Sequence, residues 1–168
     1  MIGFGSFTLA SLVVGARLLA LAARTRALAE AAFGTALFLG GVGYVLLVLA
    51  FRIVAVESAP FPLAAGNLLL HIGSMALAVG TWRVLRPAER WPVAVVAGIG
   101  AVLATSFAIR LAYVQVIPPP ASVFWMSTLA GAAAYAWSAE ESLRFWRMMR
   151  RREALGLADP AITQRFGL

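Results

Sequence analysis

The chain has 168 residues, 62% of them hydrophobic and 12% charged, with a formal net charge of +7 and mean hydropathy +0.88. A soluble domain carries roughly 45–50% apolar and 25% charged residues, so this composition cannot cover its apolar surface in water and reads as an integral membrane protein. All 14 basic residues are arginine and cysteine is absent, which excludes lysine imines, disulfides, thiolate metal sites and iron–sulfur clusters.

The apolar runs are about 20 residues long and do not alternate, which selects membrane helices over barrel strands. The expected fold is all-α, a polytopic transmembrane helical bundle of about five spans. In chain order the spans are predicted over Phe4–Ala22, Ala31–Ala50, Leu63–Trp82, Val93–Val116 and Ser122–Leu143. Pro60 and Pro62 break the second connection, Pro87 and Pro92 flank the third, and "IPPPAS" turns the chain before the last helix. Residues 1–143 form the bundle in this reading, and residues 144–168 an arginine-rich cytoplasmic helix and tail.

Charge orients the spans. Arg24 and Arg26 lie in the first connection, Arg83, Arg86 and Arg90 in the third, and Arg144, Arg147, Arg150, Arg151 and Arg152 follow the fifth span. The second connection has only Arg52, opposed by Glu57, and the fourth has no charge. The positive-inside rule then predicts the amino terminus outside and the carboxyl terminus in the cytoplasm, in a multi-pass protein of a bacterial inner membrane. Most arginines serve as topology anchors against lipid headgroups, so no nucleic-acid partner follows from the net charge. The segment "RFWRMMRRREALGLA" either anchors the last span or lies along the anionic surface.

The pattern "LGLADPAITQRFGL" after an arginine-rich segment, with "TWRVLRPAERW" before it, resembles a group of uncharacterised bacterial multi-pass membrane proteins that continue into further helices. That resemblance implies a seven-helix, sensor-like, amino-end-out architecture of which this chain is a short or truncated member. It brings no catalytic residue. The proline–tryptophan motif of the five-helix translocator proteins is missing from "AARTRALAEAAF", and nothing is carried over from them.

Candidate functional residues cluster by depth. Asn67, His71, Ser74 and Ala78 fall at i, i+4, i+7 and i+11, one face of a helix. Polar groups in lipid cost several kcal/mol unless paired, so this stripe is expected inside the bundle. Counting about 1.5 Å per residue places Tyr44, Asn67, His71, Arg110 and Trp125 together in the outer half, as a pocket for a small molecule or lipid. Arg110 is the sharpest signal, because a charge in the hydrocarbon marks a functional site by default. It reads equally as a snorkelling side chain or as a partner of Glu57. His71, the single histidine, reads as an axial haem or chlorophyll ligand with Met75 one turn along, as a titrating switch, or as a packing group. Near the other end, Arg17 and Glu140 are a candidate ion pair, with snorkelling as the alternative.

Small-xxx-small spacings at Ala36 and Gly40, at Gly100, Ala104 and Ala108, and at Ser127 and Gly131 predict close helix approaches. No phosphate-binding loop, HExxH or GxSxG is present. The predicted function is a non-enzymatic sensor-like or accessory membrane module, alone or with a second copy or partner membrane subunit. Its cofactor is unknown. A small transporter or channel subunit and a haem- or pigment-binding subunit using His71 are the alternatives.

Overall fold

The computed structural model describes residues 2–52, 60–113 and 121–156. Five helices fill them: α1 (Ile2–Thr25), α2 (Leu28–Arg52), α3 (Pro60–Leu85), α4 (Trp91–Ala112) and α5 (Ala121–Ala154). No strand occurs among the described residues. Prolines sit in the first turns of α3 and α4, where a missing amide costs nothing and a fixed φ favours the helix. Between α1 and α2 the chain reverses at Arg26, which has a positive φ of 54°. Its amide donates to the Ala22 carbonyl at 2.8 Å, and the Thr25 hydroxyl accepts from the Ala27 amide, so the turn satisfies its own backbone.

Helices α1 to α4 are long and apolar enough to cross a membrane, and the chain is a helical-bundle membrane protein. The five expected helices are all present, and α5 is less apolar than those four. Ser122, Ser127, Thr128, Tyr135 and Ser138 dilute its apolar half, and from Glu140 onward it is charged. It runs unbroken for 34 residues, about 51 Å at 1.5 Å per residue, against a hydrocarbon core of about 30 Å. Helix α4 stops at Ala112, with Tyr113 as its cap, four residues before the expected Val116. Glu57, the proline turn at 117–120 and the segment 157–168 that carries the family-like pattern lie outside the described residues.

Helix α3 is the hub, packed against α2, α4 and α5, while α1 packs only on α2. The α2–α3 seam is built from small residues seven apart, Ala36, Gly43 and Ala50 against Gly66, Gly73 and Gly80. That period keeps one stripe facing a partner helix along its length. In this seam backbone meets backbone most closely where Gly43 faces Gly66: a Cβ on either would stand 2.8 Å from the other's carbonyl oxygen. Any side chain there must push the backbones apart. Ala36 and Gly40 are buried in this seam as expected, but Ala104 and Ala108 are exposed on the outer face of α4. Spacing alone did not tell an inner stripe from an outer one. On the other side of α3, Ala78, Ile99, Leu103, Ala130 and Ala134 form the core shared with α4 and α5.

Two fully buried hydroxyls inside the spans bond to their own helices. Thr81 donates to the Leu77 carbonyl at 2.9 Å and Ser106 to the Leu103 carbonyl at 2.9 Å, which removes the cost of a bare polar group in hydrocarbon.

The arginine-rich end is closed by ion pairs that differ from the expected one. Arg86, just after α3, donates from Nε to Glu141 of α5 at 2.8 Å and also holds Glu89. The Glu141 side chain is only 4% exposed. Glu140 pairs with Arg144 one turn on, at 2.6 Å, and Arg17 is exposed on α1, which does not touch α5. The Arg17–Glu140 pair is therefore absent: depth matched the two residues, but the helices that carry them are not neighbours.

Candidate functional site

At the charge-poor end of the bundle, α2, α3 and α5 enclose a cavity of about 750 Å³, with Arg110 of α4 and Phe7 of α1 at its margins. Its back wall is α3, whose Leu63, Asn67, Leu70, His71 and Ser74 all line it. These recur at i, i+4, i+7, i+8 and i+11, so one helical face supplies the wall. Tyr44, Leu47 and Phe51 of α2 form one side, and Phe124, Thr128 and Tyr135 of α5 the other.

Four of the five residues predicted from depth come together here: Tyr44, Asn67, His71 and Arg110 line the cavity. Trp125 does not line it. It is 57% exposed, and its ring meets Phe124 edge to face at 5.4 Å. Depth follows from counting residues, but direction turns by about 100° per residue. The cavity-facing side of α5 includes Phe124, Ser127, Thr128, Gly131 and Tyr135, and Trp125 falls beside it. A period-3.6 reading of α5 finds this face, including Tyr135, which the depth argument missed.

Arg110 is 5% exposed. It lies at the end of the buried α4 stripe Leu103, Ser106, Arg110, the i, i+3, i+7 face that packs inward. Among the described residues, no carboxylate or carbonyl pairs with its guanidinium. A buried cation without a partner is costly, and five donors in a rigid fork suit a planar anion. His71 also lines the cavity, while its Nε2 is buried away from solvent with no hydrogen-bond partner among the described residues. The imidazole ring meets Phe107 edge to face at 6.0 Å, which holds its plane.

Asn67 is not the partner of His71: its Nδ2 donates to the Leu63 carbonyl at 2.8 Å, which leaves its carbonyl oxygen as the acceptor on this wall. Ser127 is satisfied by the Val123 carbonyl at 3.0 Å. Met75 packs on the α4 side, against Gly100, and is not in the cavity lining. His71 and Met75 share a helix face at i and i+4, but the long Met75 side chain turns to Gly100 of α4 and does not reach the cavity, so the two do not line one site. Among the described residues no group of three or more His, Asp and Glu side chains is placed to hold a metal ion.

The cavity therefore combines apolar and aromatic walls with one cation, one imidazole ring and one amide side chain. Such a lining suits an anion or polarised carbonyl joined to an apolar body. Comparison with family models, curated proteins and solved structures finds no match to this chain.

Proposed function

We propose that the protein is a non-enzymatic ligand-binding module of a bacterial inner membrane, sensor-like or accessory to a partner, with its binding site in the outer half of the bundle. The observation that carries this reading is Arg110, nine-tenths buried and without a described partner, in the lining of a cavity that His71 and Asn67 also line. A bundle selected for stability alone gains nothing from a lone buried cation. In this reading Arg110 binds an anionic or carbonyl head, His71 and Asn67 orient it, and Tyr44 and Tyr135 contact the apolar body.

The charge pattern supports the orientation with the amino terminus outside. Arginines gather at the opposite end, where Arg86, Arg90 and the last turns of α5 meet anionic lipid or a cytoplasmic partner. Helix α5 lines the cavity at one end and carries Glu141 and the arginines at the other, which gives a ligand-dependent shift a rigid path to the cytoplasmic side.

The test is native mass spectrometry of the protein released gently from its membrane, beside Arg110→Gln and His71→Ala. A reproducible small-molecule adduct in the parent, lost in Arg110→Gln, is the expected outcome. An adduct pattern unaffected by either substitution overturns the reading. A pigment-binding role would rest on His71 Nε2 as a single axial nitrogen, since Met75 faces elsewhere; a visible absorbance band lost in His71→Ala is its signature.

A further inference from the structure

We infer that the cavity takes a single-chain anionic amphiphile, with a carboxylate or phosphate head and one hydrocarbon tail, and takes it sideways from the bilayer through the cleft between α2 and α5. This deepens the reading above and rests on the cavity binding its ligand through Arg110.

The route follows from helix adjacency. Helices α2 and α5 both pack on α3, and both wall the cavity, yet their backbones approach each other nowhere among the described residues. The cavity therefore has a lateral opening, on the surface where the bundle presents its apolar side chains. Aromatic residues stand at its rim: Phe7, Phe51 and Phe124 are each more than half exposed and each also lines the cavity. In water such a rim is a liability, whereas in hydrocarbon it is an entrance for a tail already dissolved there. Toward the arginine-rich end the cleft is closed by Tyr135. A Cβ at Gly40 of α2 would lie 3.8 Å from its hydroxyl oxygen, so the side chain reaches across from α5 to the α2 backbone.

Size and charge define the ligand. The cavity runs along α3 from Leu63 to Ser74, about 16 Å at 1.5 Å per residue. A volume of about 750 Å³, at roughly 30 Å³ for each water-sized group, holds on the order of 25 non-hydrogen atoms. Hexadecanoate or a lysophospholipid without a bulky head falls near or below that limit, and a two-chain phospholipid lies well beyond it. The head must be anionic, because Arg110 brings a buried charge that no described side chain neutralises, and a carboxylate or phosphate accepts the bidentate fork in place of solvent.

The test uses the full chain in phosphatidylcholine vesicles with a trace of hexadecanoate bearing a diazirine in its tail. Photolysis followed by peptide mapping should place the label on cavity residues of α2 and α5. Unlabelled hexadecanoate should compete, with hexadecanol about tenfold or more weaker, the ratio set by one charge-assisted pair. Arg110→Gln should erase that difference between acid and alcohol, and Arg110→Lys should restore part of it. Thr128→Trp, which fills the cleft without touching the charge, should block labelling, and far-UV circular dichroism checks that each variant folds. Label spread evenly over the outward faces of α1 and α4, or equal competition by hexadecanol, overturns the inference.

Equal competition by soluble butanoate overturns the amphiphile and its lateral route but leaves Arg110 as an anion site. Equal competition by two-chain phosphatidylglycerol overturns the single-chain limit. If the native adducts are also indifferent to Arg110→Gln, the ligand-binding reading falls with it.

Discussion

Replacing Arg110 by leucine should stabilise the empty protein and remove most of the stabilisation that a ligand provides. An arginine held in hydrocarbon costs about 2.5 kcal/mol or more on insertion scales. Two features of the structure reduce that figure: Arg110 is two residues from the end of α4, and its guanidinium borders a cavity of about 750 Å³ where water can reach it. The net gain on removal should be about 1–2 kcal/mol. An anionic amphiphile at a hundred times its Kd adds about 2.7 kcal/mol to the parent protein. If leucine weakens binding about a hundredfold, as loss of a charge-assisted pair implies, the same ligand adds only about 0.4 kcal/mol to the variant. Adding hexadecanoate should thus shift the balance toward the parent by about 2 kcal/mol, cancelling or reversing the variant's advantage. The assay is unfolding in mild micelles followed by far-UV circular dichroism, with and without ligand. A ligand-free variant less stable than the parent by 1 kcal/mol or more would refute the reasoning, since it would mean that the guanidinium holds the bundle together.

Three further predictions concern the scaffold. Glu141→Gln should destabilise the protein by about 2 kcal/mol, less than for a fully enclosed pair because Arg86 keeps access to solvent, whereas Glu140→Gln should change stability by about 0.5 kcal/mol or less; chemical unfolding of both variants separates the buried pair from the surface one. Gly43→Val should cost about 2–3 kcal/mol or prevent folding, because its side chain meets the Gly66 backbone, while Gly98→Ala, which meets nothing within 4 Å, should be neutral or stabilising by about 0.5–1 kcal/mol; thermal unfolding in detergent compares them. Hydrogen bonds from Arg86 and from the Trp91 indole hold the Glu89 carboxyl below its ordinary value of 4.5. A lowered folded-state value means stability that is complete above the ordinary carboxylate range and lost as pH falls through the lowered one, so protease cleavage between α3 and α4 should rise only on acidification below about pH 4, and Glu89→Gln should abolish that dependence.

Much of the cavity was legible because its residues break the rules of a membrane span. An arginine, a histidine and an asparagine among apolar residues are conspicuous, and residue counting from the helix ends put them at one depth with Tyr44. Trp125 stands on the wrong face for the same reason that Tyr135 went unnoticed: depth is a one-dimensional measure, and the turn of the helix was left out for α5. The seven-residue recurrence of Gly66, Gly73 and Gly80 was also present in the chain, but without a partner helix it does not say which stripe it meets. Arg86 and Glu141 are 55 residues apart, and no periodicity relates them.

The chain alone determined the solvent, the secondary structure and the approximate ends of all helices but the last, because each depends on local composition summed over about 20 residues. It also determined that α3 carries a polar face and that arginines crowd one end. Which helices touch was decided only in the folded bundle, by how closely the glycine seams let α2 approach α3 and by where Arg86 finds Glu141. The same packing left α2 and α5 apart, and the space between them became a cavity with a cation in its wall, since helix ends and depths constrain the axis of a bundle but not the order of helices around it.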